Sequence, residues 1–195
     1  SLLLVPNHLP GIEFRPLNTL SRRIITTNEL FLEDVRIPGE NLLGELNRGW
    51  EYLTYQLEME RAAVSASYLG VAQTAVEDAL RYAKEREQFG QSIGQFQVIK
   101  HMLAEMQMNV DASRLLTYRV AWMLKEGLPA AKEAAMAKLF SSEAYFRVTT
   151  QGMQVLGGYA QMPEYDMERY FRDAKQAMVG GGTSQIQHEI IARGL

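Results

Sequence analysis

Apolar residues recur at steps of three or four through three long segments after Trp50, and this pattern constrains the fold more than any other feature. Such spacing places the apolar side chains on one stripe of an α-helix. The same segments are rich in Ala, Leu, Met, Glu, Gln and Lys, which favour helix. The sequence therefore predicts three long helices, each burying its stripe. The stripe residues are Leu69, Ala72, Val76, Leu80 and Ala83, then Phe96, Ile99, Leu103, Met106 and Val110, and finally Met136, Phe140, Ala144 and Val148.

Two shorter helices are predicted after the third long one, which should stop at the glycine pair 157–158. One should begin at Pro163, since proline suits the first turn of a helix. The last should begin at Thr183 or Ser184, whose hydroxyls can cap a helix that follows the glycine triplet 180–182. The predicted fold class is therefore mainly α, with a helical bundle at its centre.

The first 49 residues differ in composition, because they hold four of the six prolines and several short apolar runs. Runs such as 2–5 and 30–35, bounded by turn-forming residues, predict short strands. The proline–glycine pair at 38–39 and the glycines that follow it mark a boundary. We expect residues 1–45 to be the remnant of a β-domain, entered partway through a strand, and residues 46–195 to form the helical domain.

Charge, cysteine content and hydropathy exclude several classes of function. The formal net charge of -3, with both signs interspersed, provides no basic field for nucleic acid or an anionic membrane surface. The absence of cysteine excludes disulfides, thiolate nucleophiles and cysteine-ligated metals. No apolar run approaches the roughly 20 residues that a membrane-spanning helix needs. At 195 residues with 47% hydrophobic content, the chain can bury one substantial core.

Motifs for metal binding and hydrolysis are missing. The three histidines, His8, His101 and His188, have no ligand spacing, so no metal site is predicted. Neither a GxSxG elbow nor a phosphate loop is present. The glycine triplet 180–182 has two interpretations, a flexible loop or a backbone that a ligand approaches closely.

Two carboxylates, Glu58 and Glu60, fall near the start of the first long helix. Their spacing corresponds to about 200° of helical rotation, so they cannot share one face. Only one of them can look into a bundle pocket. Periodicity alone leaves open which one does so, and a solvated acidic first turn is the simplest interpretation.

Six motifs resemble those of the acyl-CoA dehydrogenase family, and they stand in the family's order and spacing. Together they cover nearly the whole chain. The motifs are FLEDVRIP at 31–38, NLLG at 41–44, REQFG with FQ five residues later at 86–97, QVLGGY at 154–159, RDAK at 172–175 and GTSQIQ at 182–187.

The resemblance implies both a fold and a reaction. The fold is a C-terminal four-helix up-and-down bundle of the acyl-CoA dehydrogenase type, preceded here by a few strands of a truncated β-barrel-like middle domain. The reaction is the FAD-dependent α,β-dehydrogenation of an acyl-CoA thioester to the trans-2-enoyl-CoA. A carboxylate in a dry pocket removes the α proton, and the flavin accepts the β hydride.

The position of that carboxylate separates the subgroups of the family. In most members it immediately precedes the GT of the last motif, where this chain has Gly181. Subgroups that resemble the isovaleryl and long-chain enzymes place it on the first bundle helix, immediately before an arginine. The Glu60–Arg61 pair matches that place. The resemblance therefore identifies Glu60 as the catalytic base and the chain as most like the isovaleryl/long-chain type in base position, with Glu58 a bystander.

The resemblance also implies contacts with cofactor and substrate. Arg86, a permanent cation, suits the FAD pyrophosphate. Gly180, where many relatives carry tyrosine, should widen the acyl pocket for a branched or bulky chain. The implied FAD contacts are Arg86, Phe89, Gln97, Gln154, Gly158, Thr183 and Gln185, of which Gln154 and Gly158 reach across a subunit boundary. The implied substrate contacts are Arg61, Gly180, Gly181 and Arg193.

The implied partners are an acyl-CoA substrate, an electron-transferring flavoprotein or similar acceptor, and further copies of the chain in a homotetramer or homodimer. The expected location is the cytoplasm, or the mitochondrial matrix in a eukaryote. Two alternatives stay open. One is a related flavin oxidase or monooxygenase, and the other is an isolated oligomerising bundle without catalysis. We expect the 195 residues alone to be inactive, because other domains normally complete the flavin and acyl sites.

Overall fold

Five α-helices account for most of the chain, as the apolar periodicity predicts. The computed structural model describes all residues from Ser1 to Leu195. The mainly α fold class is therefore confirmed. None of the helices combines the length and apolar content that a bilayer span requires. The helices are α1 at Gly49–Glu85, α2 at Gln97–Lys125, α3 at Ala131–Leu156, α4 at Met167–Ala177 and α5 at Ser184–Arg193.

The structure divides into two units, Ser1–Leu57 and Glu58–Leu195, and the division falls inside α1. In the first unit, β1 (Leu2–Leu3) pairs antiparallel with β4 (Leu42–Leu43). In the same unit, β2 (Ile12–Leu17) pairs antiparallel with β3 (Thr27–Leu32). These four short strands lie within the residues predicted to be the remnant of a β-domain. The boundary of that remnant at residue 45 stays a prediction.

The strand predictions are only partly correct. The run 2–5 contains β1, but that strand ends at Leu3. The run 30–35 overlaps β3, which begins earlier and ends at Leu32. Asp34 takes a left-handed conformation with φ 48°, which ends the extended backbone before Val35. The sequence predicts neither β2 nor this turn.

Helix α3 lies at the centre of the second unit, where it contacts α2, α4 and α5. Half of its residues are buried, and many of these are Ala, Ser or Gly, which allow neighbouring helices to approach closely. Gly152 is an example, because a Cβ there would lie 2.5 Å from Met167 Sδ on α4. The third predicted stripe is therefore one side of a helix that is buried on several sides.

The stripes are confirmed with one clear exception. On α1, Ala72 and Ala83 are buried as predicted, but Leu80 is 39% exposed and Ala79 is fully buried in its place. The stripe steps by three residues between Val76 and Ala79, where four were predicted. Buried as predicted are Leu69, Val76, Met106, Val110, Ala144 and Val148, while Phe96, Ile99, Leu103, Met136 and Phe140 are half-buried.

The ends of the last three helices follow local backbone chemistry. Helix α3 stops at Gly157, whose φ of 61° is left-handed, as the glycine pair predicts. Helix α5 is capped by Thr183, whose Oγ1 accepts a hydrogen bond from the Ile186 amide at 3.3 Å, also as predicted. The predicted start of α4 at Pro163 is wrong. The Tyr165 amide donates to the carbonyl of Met162 at 3.0 Å, so Pro163 lies in a turn that precedes the helix.

Candidate active site

Helix α1 brings Glu60 next to the loop that precedes α5. A Cβ atom at position 181 would lie 4.0 Å from Glu60 Oε1 and 3.9 Å from Lys138 Cε. Both distances are ordinary van der Waals contacts, so a side chain at 181 has room, although a φ of 64° is costly for any residue but glycine. The two places where the family's carboxylate is expected therefore face each other across one short gap.

The solvent exposure of Glu58 and Glu60 differs from what the resemblance implies for a buried base. Glu60 is exposed, whereas Glu58 is half-buried. The dry pocket implied for the base is therefore not formed around Glu60 by these 195 residues. The second unit contains both Glu60 and the loop with Gly181 that lies beside it.

The loop 180–182 is held from inside by two buried side chains. Lys138 Nζ donates to the carbonyl of Gly182 at 2.6 Å. Gln187 Nε2 donates to the carbonyls of Gly181 at 3.2 Å and Gly182 at 3.1 Å. A Cβ at 182 would lie 2.6 Å from this Nε2, so only glycine permits the arrangement. These contacts are internal to the chain, so approach of a ligand to the glycine triplet stays a prediction.

Position 180 has less free space than its lack of a side chain implies. The amide of Gln176 occupies the place where a Cβ on Gly180 would stand. Gln176 is a flexible side chain in the last turn of α4 and its Oε1 has no hydrogen-bond partner. A wider acyl pocket at Gly180 therefore requires that this amide move aside, and the substrate role of Gly180 stays a prediction.

Two cationic side chains, Lys138 and Arg61, have pKa values that burial lowers. Lys138 is fully buried, and burial, with a smaller contribution from Arg61, lowers its pKa from 10.5 to about 8. Burial also lowers the pKa of Arg61, an effect that Glu58 and Glu60 oppose. The Nε of Arg61 is buried without a hydrogen-bond partner. The charges of these two side chains are therefore not neutralised by an ion pair within the chain.

A second group of predicted residues lies at the other end of α1. Strands β5 (Glu87–Gln88) and β6 (Gln91–Ser92) form a hairpin whose turn contains Phe89 and Gly90, both with positive φ. Phe89 is 93% exposed, and its ring stands edge-on to that of Phe96 with 6.1 Å between the ring centroids. An aromatic ring displayed in this way, on a backbone conformation that disfavours it, suits a role in binding.

Arg86 and Gly158 line one cavity. The cavity measures about 410 Å³. The Arg86 guanidinium lies 5.3 Å from the centroid of the Tyr159 ring, a cation–π distance. Arg86 also borders a neighbouring cavity of about 540 Å³. A Cβ on Gly158 would meet nothing within 4 Å, so its backbone is open to approach.

The remaining predicted residues are dispersed. Thr183 serves as the cap of α5 and adjoins the glycine loop. Four others are exposed and line neither cavity: Gln97, Gln154, Gln185 and Arg193. Arg193 lies 3.9 Å from Glu189 on its own helix, a surface ion pair. Within one chain the structure therefore forms two groups, one around Glu60 and Gly181 and one around Arg86 and Gly158.

Sequence reasoning missed Lys138 and Gln187, the two residues that hold the loop. A signal for Lys138 was present. It lies four residues after Ala134 and four before Ser142, so it occupies a core-facing position of α3. Lysine is rarely buried without a polar partner, so a lysine at a core-facing position indicates a specific hydrogen bond or ion pair. Gln187 lies within the GTSQIQ motif, three residues after the buried Ser184.

Comparisons with known proteins agree on one family. Residues 47–195 match the family model for the acyl-CoA dehydrogenase C-terminal domain. The chain is 44% identical over 196 residues to the probable acyl-CoA dehydrogenase YngJ of Bacillus subtilis, covering 100% of this chain and 52% of that protein. The structure of butyryl-CoA dehydrogenase from Megasphaera elsdenii matches with a TM-score of 0.94 and 35% identity, over 98% of this chain and 50% of that one.

A solved structure described as PigA with FAD and proline has a TM-score of 0.95 and 28% identity, over 98% of this chain and 50% of that chain. The chain thus spans about half the length of the relatives that it matches. These similarities confirm the helical fold that the six motifs predict.

Proposed function

Because the chain belongs to the acyl-CoA dehydrogenase family, we propose that it is the C-terminal part of an enzyme that oxidises an acyl-CoA thioester to the trans-2-enoyl-CoA. The observation that carries the proposal is the 4.0 Å distance between Glu60 Oε1 and the Cβ position of Gly181. An acid from α1 reaches the point where most of the family is expected to carry its carboxylate. The proposal is that Glu60 substitutes for the carboxylate that residue 181 does not carry.

In this proposal Glu60 is the base that removes the α proton. Two residues along a helix correspond to about 200°, so Glu58 points away from the side on which Glu60 meets the loop. The water that now reaches Glu60 has to be displaced when substrate and the rest of the enzyme cover it, because proton abstraction next to a carbonyl is favoured in a site that excludes water. Arg61 is proposed to help hold the substrate or the loop.

FAD fits the second group of residues. Arg86 is a half-buried cation without an ion-pair partner in the chain, beside a cavity and a glycine whose backbone is open. A diphosphate matches this combination of charge and space. When bound, FAD would supply the hydride acceptor for the β carbon. We propose that Arg86, Phe89 and Gln97 contact it, and that Gln154 and Gly158 contact it across a subunit boundary.

Thr183 and Gln185 are proposed to contact FAD from the subunit that owns the flavin. Residues of both groups are then needed at one cofactor, which favours an oligomer, either a homodimer or a homotetramer. Exposed apolar residues along α2 support this proposal, because they recur at helical spacing on one face. They are Met108, Leu115, Tyr118 and Trp122.

The acyl chain and the electron acceptor are finer proposals. The position of Glu60 favours the isovaleryl or long-chain type, whereas a solved relative is named for butyryl-CoA. We propose a branched or bulky acyl-CoA as substrate and an electron-transferring flavoprotein as acceptor. Turnover with butyryl-CoA, isovaleryl-CoA and a long-chain acyl-CoA would rank the substrates, and a strict preference for the butyryl thioester would contradict the proposed pocket.

The test of the base uses the FAD-loaded enzyme that contains these 195 residues. Glu60→Gln should abolish bleaching of the flavin by acyl-CoA in the absence of oxygen, since an amide cannot accept the α proton. Glu58→Gln is the matched control and should bleach at the normal rate. Normal bleaching in Glu60→Gln would remove Glu60 from the mechanism.

Oxygen and isolation tests address the two alternatives. A flavin oxidase or monooxygenase would reoxidise rapidly in air after substrate reduction, whereas a dehydrogenase would need an acceptor protein.

An isolated bundle without catalysis would retain no FAD. We expect the 195-residue chain, mixed with FAD and passed through gel filtration, to elute without the yellow cofactor, and tight retention would contradict the proposal that it is inactive alone.

A further inference from the structure

Lys138 is a fully buried lysine whose ammonium has no carboxylate partner. Its hydrogen bond goes to a backbone carbonyl, that of Gly182, at 2.6 Å. Another cation, Arg61, acts on it electrostatically and lowers its pKa further. Burying a cation in these surroundings costs free energy, and an apolar residue of similar length would avoid that cost. Lys138 is therefore poorly explained as a stabilising core residue.

The target of Lys138 is the stretch of backbone that most needs an external restraint. Three consecutive glycines have more conformational freedom in the unfolded chain than any other residues, so fixing them is entropically costly. Gln187, also fully buried, donates to the carbonyls of Gly181 and Gly182. Two side chains from two different helices, α3 and α5, therefore converge on one dipeptide.

These hydrogen bonds also fix the distance between the loop and Glu60. With both carbonyls turned toward buried donors, the backbone at Gly181 is fixed where its Cβ position lies 4.0 Å from Glu60 Oε1. Lys138 Cε lies 3.9 Å from the same point, so the anchoring side chain and the acid both adjoin position 181. A shift of the loop by one ångström would change the geometry of a reacting site by enough to matter.

We propose that Lys138 and Gln187 are positioning residues that hold the 181–182 backbone against Glu60. The effect on the backbone is independent of the enzyme's activity, while its effect on catalysis rests on the proposed function. Neither residue touches the reacting atoms in this scheme. Both act through the carbonyls that they bind.

The test on the backbone uses the 195-residue chain and measures amide order parameters by NMR. In the wild type, residues 181 and 182 should be as rigid as the helices, with order parameters near about 0.85. In Lys138→Met they should fall below about 0.6, the range of flexible backbone, while α3 and α5 keep their values. Lys100→Met, which removes an exposed lysine of α2, is the matched control.

Rescue separates an anchoring role from a general packing role. Because the chain has no cysteine, Lys138→Cys can be alkylated selectively with an aminoethyl group after unfolding and then refolded. The product restores an ammonium at nearly the original length. Recovery of the order parameters at 181 and 182 supports the proposal, and persistent flexibility after alkylation contradicts it.

A measurement on the unaltered chain covers the case in which the variants fail to fold. The carbonyl ¹³C shift of Gly182 should titrate with the same midpoint as the Lys138 Nζ resonance, because the two groups share a hydrogen bond. Gly158, an open glycine elsewhere, should show no such titration. A flat Gly182 carbonyl while Lys138 titrates would overturn the proposal.

The catalytic consequence is measured in the FAD-loaded enzyme. Lys138→Met should slow anaerobic flavin bleaching by about tenfold or more, with a smaller change in KM, whereas Lys100→Met should bleach at the normal rate. An unchanged bleaching rate with a flexible loop would refute the link to catalysis. If Glu60 is not the base, Glu60→Gln bleaches normally, and the order parameters at 181 and 182 still test the role of Lys138 in the backbone.

Discussion

Glu60 and Gly181 approach each other so closely that a side chain on Gly181 would touch the acid: Glu60 Oε1 lies 4.0 Å from the Cβ position at 181. One residue belongs to α1 and the other to the loop before α5, and 120 positions separate them in the sequence. On the proposed function, we expect a carboxylate on either element to reach the same place.

The base should therefore be transferable between these two positions. We expect Glu60→Ala to lose flavin bleaching, and Gly181→Glu in the same background to restore a measurable part of it. The cost is a glutamate at φ 64°, about 1–2 kcal/mol of stability. Stopped-flow bleaching measures the first effect and urea unfolding the second. Gly181→Gln in the same background carries the same backbone strain without an acid, and restoration by Gln would show that proton transfer is not what was recovered.

Two glycines that look alike in sequence should respond differently to alanine. At Gly182, φ is 88° and a Cβ would lie 2.6 Å from Gln187 Nε2, so Gly182→Ala should destabilise the chain by about 2–4 kcal/mol. Gly158 has open space at its Cβ position, and Gly158→Ala should change stability by less than about 1 kcal/mol. Urea unfolding of both variants measures the difference. Equal losses would mean that the contact with Gln187 does not determine the residue at 182.

The helices and their caps could be predicted because their causes are local. The glycine after Leu156 and the hydroxyl of Thr183 act within one turn of the helix that they terminate or start. The α1 stripe was wrong only at Leu80, where the choice between Ala79 and Leu80 depends on how closely a neighbouring helix approaches. That distance is a tertiary property, which periodicity does not contain.

The candidate site was predictable only in part, for the same reason. The motifs point to Glu60 and Gly181 separately, but their contact depends on how α1 meets the loop before α5. The position of Lys138 on the core-facing side of α3 predicts that it is buried. Its hydrogen-bond partner could not be predicted, because that partner is a backbone carbonyl and every residue has one. Which carbonyl a buried donor reaches is determined by folding alone.

Phe89 should contribute to binding and little to folding. Its backbone φ of 55° suits asparagine in a hairpin turn that continues with glycine, and the ring is 93% exposed. We expect Phe89→Asn to change the free energy of unfolding by no more than about 1 kcal/mol, because relief of strain offsets the lost contact with Phe96. FAD retention by the complete enzyme should weaken several-fold. A large loss of stability with normal FAD retention would assign Phe89 to the fold.

The pH dependence of stability should reveal the buried lysine. Burial lowers the pKa of Lys138 from 10.5 to about 8, so between these values the unfolded chain binds more protons than the folded chain. The free energy of unfolding should therefore rise with pH from about 8 towards 10.5, by up to about 3 kcal/mol in total. The raised pKa values of Tyr82 and Tyr170 act in the opposite direction only above about pH 10, so the window below about 9.5 isolates the lysine.

Urea unfolding at several pH values, for the wild type, Lys138→Met and Lys100→Met, measures this effect. The rise should vanish in Lys138→Met and persist in Lys100→Met. At pH 7 Lys138→Met should be at least as stable as the wild type, because a buried cation is replaced by an apolar chain while Gln187 still binds the Gly182 carbonyl. A variant that is globally more stable but locally more flexible at the loop would separate the role of Lys138 in positioning from any role in holding the fold. If Lys138→Met instead keeps the pH-dependent rise, another group causes it, and the pKa of Lys138 is not lowered in the folded chain.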